Sequence, residues 1–111
     1  MPIFITQGRY SLGAIKGMVA NPEDRAETIA KVAESAGGRL LAYYVTLGEY
    51  DFAIITEMPG HKEVSTLVLA AAAGGGATDM RTTLAMTTAE AKEVFAATGR
   101  VAQGYRSGGA T

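Results

Sequence analysis

Apolar runs of strand length occur at four places along the chain and predict four β-strands. Gly48 and Glu49 separate two of these runs, so we expect the flanking strands to pair as an antiparallel hairpin with a tight turn. The predicted strands cover Ile3 to about Arg9, Arg39–Leu47, Tyr50–Met58 and Met80–Thr87.

Hydrophobic residues three and four positions apart predict helices between these strands. The clearest of them ends at Ala36, and we expect it to begin with Asn21 as its N-cap and Pro22 at its first position. The pair Gly37-Gly38 then ends it. Further predictions are a helical turn over Leu12–Val19, a helix over His61–Ala73, a loop at Gly74–Gly76 and a short last helix capped by Thr88.

The predicted order of elements is β-α-β-β-α-β with an extra C-terminal helix. This order is typical of the split βαβ, or ferredoxin-like, arrangement, so we predict an α+β fold with an antiparallel sheet. Large apolar residues become scarce after residue 98, while glycines remain frequent. We therefore predict one domain over residues 2–98 and a Gly-rich flexible tail over residues 99–111.

The predicted hairpin is apolar on both faces. An antiparallel sheet with one solvated face should instead alternate apolar with polar residues. Helices cover one face, so we expect a second copy of the chain to cover the other. Simple alternation places Leu40, Ala42 and Tyr44 on one face, and Leu41, Tyr43 and Val45 on the other.

The segment Leu47-Gly48-Glu49-Tyr50-Asp51-Phe52 lies at the tip of this hairpin. Through Gly48, Tyr50 and Asp51 the chain resembles the GYD domain family, which is named for a Gly-Tyr-Asp signature. The resemblance implies a small α+β domain related to the dimeric α+β barrels. The hairpin is also similar to the ligand-binding half of leucine-responsive transcription regulators, which pair as dimers and bind amino acids between subunits.

The residue types of this segment also suit a turn. We expect Gly48 to adopt the positive φ that tight hairpins commonly require. The Asp51 carboxylate can accept hydrogen bonds from neighbouring backbone N–H groups and so fix the tip. Tyr50 offers a flat apolar ring with one polar end. The motif is therefore explained either by the shape of the hairpin alone or by a ligand bound beside it.

Composition narrows the possible functions. Ten basic and eleven acidic residues give a net charge of −1, which argues against a nucleic-acid partner. The absence of cysteine excludes disulfides and thiol catalysis, and a single histidine excludes a multi-histidine metal site within one chain. We predict no metal and no cofactor. No apolar stretch reaches the roughly 20 residues that span a bilayer, and the first residues lack a secretory signal, so we expect a cytoplasmic protein without a membrane partner.

The leading hypothesis is a self-associating module that binds a small metabolite as an effector or sensor, in a pocket at or near the subunit interface. Tyrosine rings would pack against the ligand and charged groups would fix its polar ends. The predicted ligand-binding residues are Tyr44, Gly48, Tyr50, Asp51 and Arg81.

Two other functions stay open. One is a cofactor-independent enzyme, isomerase or monooxygenase-like, on a dimeric α+β barrel. Its base would be His61, whose usual pKa lies near neutrality, or the amine of Pro2 after removal of the initiator methionine. The other is a purely structural module that contributes assembly and no chemistry.

Overall fold

The computed structural model describes residues 1–105 and residue 108. Its elements are β1 (Ile3–Tyr10), α1 (Leu12–Ala20), α2 (Ala26–Ser35), β2 (Arg39–Val45), β3 (Phe52–Glu57), α3 (His61–Ala73), β4 (Ala77–Ala85) and α4 (Thr88–Ala102). The four strands form one sheet in the order β2-β3-β1-β4, and every neighbouring pair is antiparallel. The predicted α+β, ferredoxin-like fold with an extra C-terminal helix is confirmed.

The start of α2 differs from the prediction. Asn21 ends α1 instead, because its backbone N–H donates to the Gly17 carbonyl (2.9 Å). The Asp24 carboxylate accepts a hydrogen bond from the Ala26 backbone N–H (2.9 Å), and the helix begins there. Residues 21–25 therefore link two helices, and the N-cap predicted at Asn21 was wrong.

The predicted end of α2 is confirmed. Gly37 has a φ of +88°, a conformation that residues with a side chain rarely adopt. The Gly38 N–H donates to the Ala33 carbonyl (2.9 Å), which completes a Schellman motif. A Cβ on Gly38 would collide with the Glu57 carbonyl oxygen and the Met58 sulfur, so only glycine fits where the chain turns back towards the sheet.

The hairpin connection is wider than predicted. Strand β2 ends at Val45 and β3 begins at Phe52, so residues 46–51 form a loop in place of the tight turn. The Thr46 N–H donates to the Asp51 carbonyl (2.8 Å) and the Thr46 hydroxyl donates to the Tyr50 carbonyl (2.7 Å). Because these bonds close the loop at its base, Gly48 needs no positive φ and has none, contrary to expectation.

A β-bulge changes which hairpin residues share a face. The register between β2 and β3 shifts between Leu40 and Ala42, so Leu40 lies opposite Thr56 while Tyr43 lies opposite Ile54. Leu40 therefore shares the helix-covered face with Tyr43. The prediction from unbroken alternation, which placed Leu40 on the same face as Ala42, was wrong. On β3, buried and half-buried positions alternate without a break, so Phe52 and Ile54 face the helices while Ala53 and Ile55 face away from them.

Strand β4 begins at Ala77, before the predicted start at Met80, and the last helix begins earlier and is longer than predicted. The N-cap of α4 is Thr87 and not Thr88, and the helix continues through Gly99 to Ala102. The predicted tail of residues 99–111 thus begins within this helix. Residues 106, 107 and 109–111 of that tail lie outside the described residues.

Helices α1, α2 and α3 pack against one face of the sheet. Side chains fill the space between the helices and the sheet at the end where β1 begins, in a core cluster of Phe4, Ala33, Met58 and Val64. The opposite face of the sheet, called the outer face below, carries half-buried apolar residues such as Ile5, Ala42 and Ile55. Within the part of the chain that the structure describes, no helix has the length and hydrophobicity needed to cross a membrane.

Candidate functional site

A cavity of about 450 Å³ lies between the sheet and helices α1, α2 and α3. It occupies the end of the sheet opposite the core cluster, where β1 ends at Tyr10 and β3 begins at Phe52. Small-molecule sites in proteins usually have volumes of roughly 300–1,000 Å³. The cavity is therefore large enough for a small metabolite within a single chain.

The cavity exists because small residues face one another across this end of the fold. A larger side chain at these positions would project into the space and fill it. The small residues that line it are Ala14, Gly17, Ala70, Ala71, Gly74, Gly76 and Ala77.

Aromatic side chains form the floor of the cavity. The rings of Tyr10 and Phe52 lie 5.1 Å apart, and those of Tyr43 and Phe52 lie 6.4 Å apart, both in tilted arrangements. Such distances are usual for interacting aromatic pairs. Thr6 and Ile54 continue the floor towards the core, so a ligand in the cavity would rest on a largely apolar surface.

Two hydroxyl groups supply the polar feature of this floor. The phenols of Tyr10 on β1 and Tyr43 on β2 are hydrogen-bonded to each other across β3, which lies between these strands. Burial, together with this hydrogen bond, raises the pKa of Tyr10 above its usual value, so its phenol stays protonated at neutral pH. Because one hydroxyl donates to the other, the second O–H is free to donate to an oxygen of a ligand.

Polar residues lie at the mouth of the cavity, in the segment that links α1 to α2 and in the first turn of α2. The Arg25 guanidinium donates to the Glu23 carboxylate (3.0 Å), and both side chains are partly exposed. The positive charge of Arg25 acts on the Tyr10 phenol, where it opposes the rise in pKa. Asn21 and Thr28 complete this rim.

The residues predicted from the hairpin motif do not line this cavity. Gly48 lies at the loop tip with no atom close enough to contact an added Cβ. The Asp51 carboxylate accepts from the Tyr10 backbone N–H (2.9 Å), and the Asp51 N–H donates to the Gly8 carbonyl (2.8 Å). Asp51 therefore fastens the hairpin loop to the end of β1, directly beside the Tyr10 ring that forms the cavity floor.

Tyr44 and Arg81 share a row of the sheet but lie on its two opposite edge strands. The paired residues of that row run from Tyr44 through Ala53 and Gln7 to Arg81. Three strand spacings of about 4.8 Å separate the two edges by roughly 14 Å. Neither residue lines the cavity, and their joint role stays a prediction about paired subunits.

The two candidate bases also lie away from the cavity. His61 is exposed and begins α3, where its carbonyl accepts from the Ser65 hydroxyl (2.6 Å). Pro2 is exposed as well, and its carbonyl accepts from the Met58 N–H (3.0 Å). Pro2 lines a second, shallower groove with Leu84, Met86 and Val94 at the start of α4. The structure therefore brings neither candidate to the Tyr10–Tyr43 pair.

Sequence reasoning missed the cavity residues. The one signal for them is the run of small residues from Ala70 to Ala77, which we interpreted as a helix end and a connecting loop. Those residues have little side-chain volume, so they leave space wherever the fold places them opposite the sheet. Tyr10 and Arg25 carry no such signal, because their meeting depends on how β1 and α2 pack.

The fold and the Asp51 hairpin together define a class, namely ferredoxin-like α+β domains with a Gly-x-Tyr-Asp loop. The family model for the GYD domain matches residues 4–95, and the chain belongs to that family. The resemblance predicted from Gly48, Tyr50 and Asp51 is thereby confirmed.

Solved structures with a similar fold have low sequence identity. TTHA0845 from Thermus thermophilus superimposes with a TM-score of 0.50 at 15% identity, over 78% of this chain and 95% of that one. FFRP-DM1 and the hypothetical protein PHS023 from Pyrococcus horikoshii each give a TM-score of 0.47 at 16% identity, over 78% of this chain and 100% and 92% of theirs. The chain matches none of the curated proteins with which it was compared.

The described residues offer no grouping of three or more histidine, aspartate or glutamate side chains that could hold a metal ion. The side chains that line the cavity offer apolar contact, phenolic hydrogen bonding and the charges at its rim. This set suits the recognition of a small molecule.

Proposed function

We propose that this GYD domain is a self-associating module that binds a small metabolite, in an effector or sensor role. The ligand would occupy the cavity between the sheet and the helices of each chain. The observation that carries the proposal is the cavity of about 450 Å³ with the Tyr10–Tyr43 hydroxyl pair on its floor. An apolar pocket with few polar groups is the usual form of a small-molecule site.

The shape of the fold supports this placement over a site on the surface. The cavity is lined by the sheet and three helices, so a ligand inside it would contact most elements of the domain. The GYD loop reaches the same place through the bonds of Asp51 to the end of β1. A bound ligand would therefore be sensed at the loop, which is where an effector domain could signal to a neighbour.

Self-association forms the second part of the proposal and rests on the outer face of the sheet. Ile5 and Ile55 lie opposite each other at its centre, and Ala42 extends the row onto β2. A second copy covering this face would remove these apolar side chains from water.

Cavity binding is tested by blocking the cavity. Ala71→Leu places a larger side chain on its wall, whereas Ala72 is the next residue of α3, is exposed and lies outside the lining. We expect small apolar metabolites to raise the melting temperature of the wild type and of Ala72→Leu, but not of Ala71→Leu. A ligand at about a hundredfold its Kd stabilises the folded state by roughly 2.7 kcal/mol, which a thermal-shift assay resolves.

The result that would contradict the proposal is equally direct. If Ala71→Leu, folded by circular dichroism, were stabilised as strongly as Ala72→Leu, the ligand would bind elsewhere. A panel that stabilised none of the three proteins would argue for the purely structural function.

A further inference from the structure

The rim and the floor of the cavity differ in charge, and this difference restricts the ligand. The floor offers a neutral hydroxyl pair from Tyr10 and Tyr43. The rim offers the guanidinium of Arg25, which lines the same cavity and lies close enough to act on the Tyr10 phenol. A ligand that rests on the aromatic floor would therefore present its polar end to donors.

On this basis we propose that the ligand is an apolar monocarboxylate, an acid with one hydrocarbon or aromatic body, whose carboxylate lies between Arg25 and the Tyr10–Tyr43 hydroxyls. The inference rests on the proposed function, since it concerns the same cavity. The body of the ligand would contact Phe52 and Ile54 and fill the space left by the small residues.

The donors match a carboxylate in number and kind. A guanidinium carries five N–H donors, and Glu23 takes up part of them through the 3.0 Å bond from one terminal nitrogen. Glu23 and Arg25 are both partly exposed, and such a surface pair contributes little to stability. A ligand carboxylate can therefore displace or share that contact, while the free O–H of the tyrosine pair donates to its second oxygen.

The charges at the rim also disfavour other classes of ligand relative to a monocarboxylate. A cation would be repelled by the Arg25 guanidinium, and it could reach the Glu23 carboxylate on the same rim only by taking it from Arg25. A dicarboxylate would bury its second charge among Ile54, Leu67 and Val68, where desolvation opposes binding. A neutral amide fits the shape but loses the charge-assisted bond to Arg25.

The test uses one hydrocarbon body with different ends, namely octanoate, octanamide, octylammonium and octanedioate, titrated calorimetrically into the whole 111-residue chain. We expect octanoate to bind about tenfold or more tightly than octanamide, because the charged hydrogen bond is the stronger one. Octylammonium and octanedioate should bind more weakly still.

Substitutions at the lining residues show which side chains donate hydrogen bonds to the ligand. Arg25→Gln should remove the preference for octanoate over octanamide and leave amide binding unchanged. The double variant Tyr10→Phe/Tyr43→Phe should weaken both ligands, because either phenol alone could still donate to an oxygen of the ligand. Arg100→Gln removes an arginine from the last turn of α4, outside the cavity lining, and should retain the full preference.

The outcomes separate the two proposals. If octanamide binds as tightly as octanoate, the ligand class is wrong and the cavity remains a binding site. The same conclusion follows if Arg25→Gln keeps the preference. If Ala71→Leu binds octanoate and octanamide as the wild type does, the cavity is not the site and both proposals fail. Binding of none of the four probes overturns the monocarboxylate inference, and the wider metabolite panel then decides on the cavity.

Discussion

At the scale of single residues, the GYD signature combines a structural contact with a position beside the cavity. The Asp51 carboxylate accepts a hydrogen bond from the Tyr10 backbone N–H, and the Asp51 backbone N–H donates to the Gly8 carbonyl. One residue therefore binds β1 at two positions. The same strand end carries the Tyr10 ring on the cavity floor. A change at Asp51 would therefore disturb the floor, although the residue itself lines no part of the cavity.

Tyr10 gives the protein a specific sensitivity to alkaline pH. Burial first, and then the hydrogen bond with Tyr43, raise the pKa of Tyr10 in the folded state. In the unfolded chain its pKa is about 10. The folded state then holds this proton more tightly, so the stability from the neutral phenol is present below about pH 10 and is lost as the pH rises further.

We expect Tyr10→Phe to remove this component. Between about pH 8 and about pH 11, a range that spans the usual tyrosine pKa, the free energy of unfolding of the wild type should fall more steeply than that of Tyr10→Phe. Urea unfolding at a series of pH values measures both slopes. Tyr105→Phe, which changes an exposed tyrosine beyond α4, is the matched control and should follow the wild type. Parallel slopes for the wild type and Tyr10→Phe would contradict the assignment.

At the scale of elements, α4 owes its start to local hydrogen bonds. The Thr87 hydroxyl accepts from the Glu90 N–H (3.1 Å) and the Glu90 carboxylate accepts from the Thr87 N–H (2.9 Å), which makes a capping box. The hydrogen bond from the Thr87 backbone N–H, with a contribution from the Thr87 side chain, holds the pKa of the Glu90 carboxyl below its usual value. No α4 residue that the structure describes is buried, so the helix depends on this cap more than a packed helix would.

Thr87→Ala should therefore loosen α4 without unfolding the domain. Loss of such a cap typically costs about 1 kcal/mol of helix stability. We expect faster amide exchange across the first turns of α4 and unchanged exchange in β1 and β3, measured by hydrogen–deuterium exchange. Thr88→Ala makes the same chemical change one position later and should leave exchange in α4 close to that of the wild type. Equal effects of the two variants would mean that the cap does not hold the helix.

The sequence predicts an element correctly where the spacing of its own apolar residues is enough to determine it. His61–Ala73 is helical as the spacing of Val64 and Leu67 indicates, and β1 follows its opening apolar run. Prediction failed where a hydrogen bond to a neighbouring element, or a shift in strand register, changed the role of a residue. Asn21 was a plausible helix start but serves as the end of α1, and a bulge after Leu40 breaks the alternation that assigned its face.

At the scale of the whole molecule, the cavity lies beyond what a sequence pattern can reveal. Its walls come from elements far apart in the chain, such as Ala14 on α1 and Ala71 on α3, which meet only after the sheet has formed. The hairpin motif could be recognised because its residues are consecutive. The motif therefore identified the family, and the site predicted around it differs from the cavity that the fold creates.

The molecule is also more extended than its length requires. The radius of gyration is 18.0 Å and the long dimension is 63 Å, whereas a compact domain of about 100 residues has a radius near 13 Å. Exposed apolar residues on α4, such as Phe95 and Val101, lie outside the helix–sheet body. Together with the apolar outer face, they favour a chain that completes its packing with a second copy.

Self-association can be tested at the centre of the outer face. Ile55 lies between Ile5 and Ala42, so Ile55→Lys would put a charge where a second sheet should pack. We expect sedimentation analysis to show a dimer or higher oligomer for the wild type and a shift towards monomer for Ile55→Lys. Leu69→Lys, at an exposed apolar position on α3, is the matched control and should keep the wild-type mass. Circular dichroism distinguishes dissociation from unfolding. A monomeric wild type, or a folded Ile55→Lys of unchanged mass, would rule out assembly through this face, because a buried lysine without a partner cannot be accommodated there.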